Sequence, residues 1–322
     1  MKSARVLAAA FLAVLALRAG AGAAGPATDV SPLRFGVSAR TLADLNRNDV
    51  TAGLKVLMQT VAKERGIPFD PNPRVFDRLE DFAMALKKGE IDIVSAPSDD
   101  FLVLEQAAPL GGLYSTSVGG KITEEFVVLV KEDRPFRRLT DLRDARLMVL
   151  SHPAAGLAPA WLDVELMRLG LPTSELFFGS ITRLTKINRV ILPVFFGQAD
   201  ACLTTRRGFA MAGELNPQIL KSLRVLAVSP ELVPGVGAYR RSIREQASKI
   251  FREAAMNLID TVAGKHLLTL FQSDAFVEVS EAEFAPTRAF LAEHARLLAA
   301  AARGSGSPVK RASESTAEGN PP

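Results

Sequence analysis

One phrase occurs twice in this chain, and it limits what the chain can fold into. Lys87-Lys88-Gly89-Glu90-Ile91-Asp92-Ile93-Val94-Ser95 is echoed by Phe195-Phe196-Gly197-Gln198-Ala199-Asp200-Ala201-Cys202-Leu203-Thr204. In each, an amphipathic stretch stops at a Gly able to take the left-handed cap of a helix. Two residues then lead to an Asp that introduces a short apolar strand, and the strand ends in a hydroxyl residue. A helix, a cap and a buried strand are therefore written twice. The copies lie about 108 residues apart, too far for a solenoid repeat and right for two similar α/β lobes. Two lobes imply a cleft between them.

The rest of the pattern extends this reading. Leu33 to Val37 reads as a first strand ending at Ser38-Ala39-Arg40, and a helix from about Val50 to Arg65 follows, with Asn48 or Asp49 as N-cap. Pro71 to Phe76, Ile91 to Ser95, Glu124 to Val130, Arg146 to Leu150 and Leu223 to Val228 read as further strands. Helices are expected over Leu79 to Lys88, Leu157 to Leu169, Ile187 to Phe196, Arg244 to Val262 and Ala289 to Ala302, the last two packing on the first lobe. Short β-rich runs alternating with longer helices predict an α/β protein, each lobe a mainly parallel sheet flanked by helices. The strand from Glu124 carries the chain into the second lobe and the strand from Leu223 leads it back. Lobe one is thus expected over 30–120 and 228–300, lobe two over 121–227, with the hinge near Ser117 to Phe126 and Val225 to Pro230.

The termini read differently. Lys2 and Arg5 precede the apolar run Val6 to Leu17, and small residues follow through Ala21-Gly22-Ala23-Ala24. This describes a cleavable secretory signal over 1–24, with an apolar run too short for a comfortable membrane span. An uncleaved anchor helix is the alternative. The end, 303–322, is rich in Gly, Ser, Pro, Lys and Glu without apolar period and reads as a disordered tail. Export to the bacterial periplasm suits a chain that must be held by its cores alone, because a single cysteine, Cys202, allows no internal disulfide. That thiol sits in an apolar strand, as a small core residue does. The net charge of +4 comes from scattered bases; the pairs Arg137-Arg138, Arg206-Arg207 and Arg240-Arg241 read as solvated faces. No aromatic-basic interleaving points to nucleic acid, whereas mild basicity suits a small anion.

The run Leu184 to Cys202, followed by Glu214-Leu215-Asn216-Pro217-Gln218, resembles periplasmic solute-binding proteins of the phosphate, phosphite and phosphonate ABC-transporter family. Supporting segments are Leu33 to Ser38, Gly89 to Ser95, Phe126 to Lys131 with Leu139 to Asp144, and Leu223 to Pro230. The resemblance spans roughly residues 30 to 270. It implies the two-lobed type II periplasmic-binding-protein fold with two crossover segments, and a solute handed to a membrane permease.

In an open α/β sheet, ligands lie beyond the carboxyl ends of strands, where helix N-termini favour anions. Four such points are candidates. Ser38 and Arg40 follow the first strand, and an Arg offers a fork of donors suited to phosphate or carboxylate; a plain surface turn is the competing reading. Ser95, Ser98 and Asp99 follow the first copy of the phrase, where Ser98 or Asp99 also suits a helix N-cap. Ala155 and Gly156 lie in the turn Ser151-His152-Pro153-Ala154-Ala155-Gly156. In the resembling family this turn commonly carries Ser and Thr hydroxyls that cradle phosphoryl oxygens; here Ala154 and Ala155 replace them, which leaves only backbone N–H groups. Lys186, in Thr182-Arg183-Leu184-Thr185-Lys186, stands where the family often has a His-Asp pair, and it can compensate an anion or simply face solvent. Thr204 and Arg206 close the floor after the second copy. Asp92 and Asp200 themselves read as structural, satisfying backbone donors at the strand entrances.

No sequence element requires an enzyme. There is no P-loop, no G-x-S-x-G and no H-E-x-x-H, and the three histidines, His152, His266 and His294, are too dispersed for a metal cluster. No cofactor is implied. The expectation is an exported monomer that captures a small anionic solute by hinge closure and presents it to an ABC-transporter permease. A receptor subunit for a sensor kinase is the alternative partner reading, and an enzyme on the same scaffold the alternative of a different class.

Overall fold

The computed structural model describes residues 32–305 apart from Asp44, 66–68 and Arg244. The signal segment expected over 1–24 lies outside the described residues. The chain begins with β1 (Phe35–Ser38), β2 (Arg74–Phe76), β3 (Ile93–Pro97) and β4 (Leu110–Ser117), the first three joined by the helices Arg47–Arg65 and Leu79–Lys87. It then crosses to a second sheet made of β5 (Phe126–Lys131), β6 (Arg146–Leu150), β7 (Ser180–Leu184), β8 (Ala201–Thr205) and β9 (Leu223–Val228), and returns for β10 (Gly235–Arg240) and β11 (Ala275–Val279).

The sheets run β11-β4-β10-β3-β1-β2 and β7-β6-β8-β5-β9. Each is mixed. Strands joined through helices are parallel, as in β2-β1-β3 and β7-β6-β8. The strands that carry the chain between sheets, β5 and β10, are antiparallel to their neighbours on both sides. The expectation of mainly parallel sheets therefore holds for the strand-helix-strand units, and half of each sheet departs from it because a crossing strand enters from the opposite end. β3 and β8, the strands of the repeated phrase, occupy equivalent places: each has a parallel neighbour on one side and a crossing strand on the other.

The phrase itself is one device used twice. The helices before β3 and β8 end at Gly89 and Gly197, whose φ values of 72° and 74° lie in the left-handed region a Cβ disfavours. Asp92 then accepts hydrogen bonds from the Arg34 amide at 2.9 Å and from its guanidinium at 2.9 and 3.1 Å. Asp200 does the same for Arg146, at 2.9, 3.0 and 3.2 Å. Each Asp thus pins the arginine that opens the neighbouring parallel strand. This is the structural role the sequence suggested.

The cores follow the sheets. Phe82, Phe101, Leu104 and Phe284 are buried in the first lobe; Phe126 to Val130, Trp161, Phe177 and Ile191 are buried in the second. Burying each such side chain stabilises by about 1.5–3 kcal/mol. The crossing segments pair with one another: Glu124 and Leu232 exchange backbone bonds of 2.8 and 3.0 Å, and Glu231 holds Lys121 at 2.7 Å and Thr123 at 2.8 Å. The return crossing runs over Ser229–Pro234, because β9 keeps residues through Val228 in the second sheet. The helix expected over Arg244 to Val262 runs over Glu245–Met256 and is followed by a 3-10 turn, Leu258–Asp260; a further helix, Val262–Leu270, is started by a Thr261 side chain that caps Gly264. The final helix starts earlier than its apolar pattern suggested, at Glu281, where Ser280 and Glu283 form a reciprocal cap, and it reaches Ser305, inside the stretch read as tail. It also packs on both lobes rather than on the first alone, with Phe284 in one core and Phe290 and Leu291 in the other.

Candidate functional site

The strand ends of the two lobes face each other: the short 3-10 turns Ala39–Leu42, after β1, and Pro153–Ala155, after β6, approach within 8 Å between Cα atoms. On the first lobe, Ser38 is buried at the end of β1. Its hydroxyl donates to Asp100 at 2.9 Å and accepts from the Arg40 amide at 3.3 Å. Arg40 Nη1 reaches Asp99 at 2.8 Å and Asp100 at 2.5 Å. Burial disfavours the Arg40 cation, yet the two carboxylates outweigh it and hold the guanidinium above its ordinary value. Asp100 is pushed up by burial, and Arg40 and Ser38 offset this only in part because Asp99 adds its own charge.

The helix Ser98–Ala107 supplies both aspartates from its first turn, where carboxylates suit the helix dipole. Ser98 is fully buried, its hydroxyl donating to the Val233 carbonyl at 2.6 Å and its amide to Pro234 at 3.0 Å. It therefore ties the helix start to the return crossing rather than opening into the cleft. Ser95 sits within β3, opposite Val37 and Gly237.

The second lobe is organised differently. At the turn after β6 every amide from 154 to 156 is spent locally. Ala154 donates to His152 Nδ1 at 3.1 Å, Ala155 to the His152 carbonyl at 2.8 Å, and Gly156 to the Pro153 carbonyl at 3.1 Å. The backbone cradle expected at Ala155 and Gly156 is thus closed upon itself, a consequence of the 3-10 geometry that Pro153 starts. Lys186 is exposed at the start of the helix Ile187–Phe195, and no ion pair holds it among the described residues. Thr204 is fully buried with its hydroxyl unpartnered, while Thr205 caps the helix Arg206–Leu215 through Gly208 at 3.0 Å. Arg206 is bound twice to Glu125, by Nε at 2.7 Å and by its amide at 2.8 Å, and Arg207 pairs with the buried Glu124. The Arg206-Arg207 pair is therefore ion-paired to the outgoing crossing while both side chains stay partly exposed to solvent.

Three participants escaped sequence reasoning: Asp100 as the second counter-charge of Arg40, and Glu124 and Glu125 as partners of the arginine pair. The adjacent acids before Phe126 and the adjacent bases after Thr205 were a usable signal, since β5 and β8 run antiparallel and bring Phe126 opposite Thr205.

Residues 41–284 match the family model for the periplasmic substrate-binding protein of phosphonate ABC transporters. The chain belongs to this family. Its members are periplasmic solute-binding proteins, and among the described residues no helix is long and apolar enough to cross a membrane. Among solved structures, XAC2383 from Xanthomonas citri bound to ATP is 16% identical, with a TM-score of 0.62 over 84% of this chain and 99% of that one. PhnD1 from Prochlorococcus marinus in complex with methylphosphonate is 14% identical, with a TM-score of 0.55 over 84% and 99%. A binding protein component of an ABC phosphonate transporter from Pseudomonas aeruginosa, PA3383, is 12% identical, with a TM-score of 0.56 over 84% and 89%. At such identities the likeness establishes the two-lobed fold. No curated protein matches the chain.

Proposed function

We propose that this phosphonate-family solute-binding protein captures a small oxyanion, phosphate- or phosphonate-like, between its lobes and presents it to an ABC-transporter permease as a monomer released from its signal segment. The observation that supports this most is Arg40, a cation held by Asp99 and Asp100 in the 3-10 turn that approaches the turn after β6. Ser38 and Asp99 fix its position. Ser95 and Thr204 end or approach the floor of each lobe, Lys186 adds positive charge from the second beside Arg206 with its Glu125 partner, and Ala155 and Gly156 form the wall opposite Arg40. Ser98 sets the helix that carries Asp99. Closure about the crossings 118–125 and 229–234 removes the anion from water and strengthens each charge-assisted contact. The chain is read as a binder and not an enzyme because its family is one of periplasmic substrate-binding proteins.

A thermal-shift screen over phosphate, phosphite, phosphonates, sulfonates and small carboxylates tests this. A ligand at 100-fold over its Kd stabilises by about 2.7 kcal/mol, a readable rise in Tm. A response confined to uncharged or cationic solutes overturns the anion reading. Turnover of a responding solute, with product in excess over protein, overturns the binder reading.

A further inference from the structure

The final helix, Glu281–Ser305, straddles the two lobes outside the crossing strands. At its start Phe284 packs edge-on against Phe101 of the first lobe at 5.8 Å, and Arg288 pairs with Glu105 at 2.5 Å. Further along, Phe290 and Leu291 enter the core of the second lobe, and Glu293 takes two nitrogens of Arg168 at 2.9 and 2.7 Å. His294 comes next, stacked on Phe290 at 6.5 Å. Its Nε2 is buried without a hydrogen-bond partner, 4.0 Å from Asp163 Oδ2 of the second lobe. Asp99 of the first lobe also acts on His294, and its Oδ1 is likewise buried and unpartnered.

Of the surrounding charges, Asp163 accepts the Ser174 amide at 2.6 Å through Oδ1, Asp99 holds Arg40 at 2.8 Å through Oδ2, Arg168 is divided between Glu165 and Glu293, and Arg296 leans on Glu293 at 4.0 Å. Asp163 Oδ2 stands toward Nε2 at 4.0 Å, beyond hydrogen-bond reach, and Asp99 Oδ1 makes no hydrogen bond to it. A proton on Nε2 therefore finds no acceptor within hydrogen-bond reach unless the seam rearranges.

We propose that His294 is a proton-sensitive clasp: neutral, it lets the final helix seal the seam between the lobes; protonated, it leaves the seam and loosens the hold of that helix on the second lobe. Burial lowers the proton affinity of His294 below its ordinary value, and Asp163 and Asp99 recover only part of it. The sign follows. The unfolded chain binds this proton near pH 6.5 and the sealed fold only at lower pH, so the stability is complete above about pH 6.5 and is lost as pH falls through the lowered value. The clasp does not depend on which solute the cleft takes.

The test uses the full chain without ligand. His294→Phe keeps a ring on Phe290 and removes the titration. Between about pH 7.5 and 5.5 the Tm of the parent protein should fall further than that of His294→Phe, by up to roughly 3–5 °C, because pH 5.5 lies only about one pH unit below the unfolded value. The radius of gyration from small-angle scattering should rise with acid in the parent alone. Parallel Tm curves, or a parent that gains stability in acid relative to the variant, overturn the clasp. If His294→Phe does not fold, proton NMR of the parent follows its three imidazoles, assigned with His266→Gln and His152→Gln. The His294 ring should titrate below about 6.5 and follow the loss of Tm. All three titrating at or above 6.5 would overturn the proposal.

Discussion

The two copies of the Gly-x-x-Asp phrase agree at one end of their strands and differ at the other. At the strand entrances, Asp92 with Arg34 and Asp200 with Arg146 make the same three-bond clamp, each behind a left-handed glycine. At the strand exits the lobes diverge. The first presents Arg40 between two aspartates, while the second presents a turn whose amides are satisfied from within and two arginines bound to the crossing strand. What repeats builds the sheet; what diverges faces the cleft. A family whose members share the scaffold and differ in their solutes needs this division, because the exits can change without disturbing the entrances.

The largest effect should come from the entrances, and it should be unequal. Asp92→Ala strands a partly buried Arg34, which also bonds the Gly89 carbonyl, and should cost about 1.5–3 kcal/mol in urea unfolding. Asp200→Ala removes the same bonds from a more exposed arginine, where solvent screens the loss, and should cost less. Equal losses would show that the two clamps are energetically one device in spite of their exposure. A smaller and different effect is expected at the exits. Arg40→Ala should weaken binding of whichever oxyanion raises Tm by about 10–100-fold, whereas Arg206→Ala, on the lobe whose turn has its amides satisfied from within, should weaken it by less, as read by calorimetric Kd. A reversed order would move the anion to the second lobe.

The same division explains what could be read before the structure. The strand entrances were legible because their chemistry is local: a capping glycine, an Asp and an apolar run lie within nine residues of one another. Two lobes, both phrase strands and the structural role of Asp92 and Asp200 followed. The exits were legible only as places. That Arg40 would meet Asp99 and Asp100 some sixty positions later, or that Arg207 would meet Glu124, depends on which strands become neighbours and in which direction. The final helix contains the expected stretch, Ala289 to Ala302, but extends back to Glu281, so that Phe284 joins the first core and Phe290 the second. The apolar pattern gives the helix and not which of two cores each residue enters.

The smallest effect tests the exit of the second lobe most directly. If the turn after β6 contacts the anion, its weakness lies in lacking a free donor: the amides of residues 154 to 156 bond His152 and Pro153, and alanine has no hydroxyl. Ala154→Ser restores one donor at a half-exposed position without touching the amide network, whereas Ala155 is buried and a hydroxyl there would lose water with no partner supplied. One neutral hydrogen bond contributes about 0.5–1.5 kcal/mol, so the variant should bind the oxyanion about 2–10-fold more tightly with unchanged Tm in its absence. Tightening would place the anion between the lobes, held by Arg40 from one side and by the helix start from the other. An unchanged Kd beside a large loss in Arg40→Ala would leave the second lobe as a lid, so that the first lobe alone selects the solute and the divergence of the exits is a division between grasping and covering.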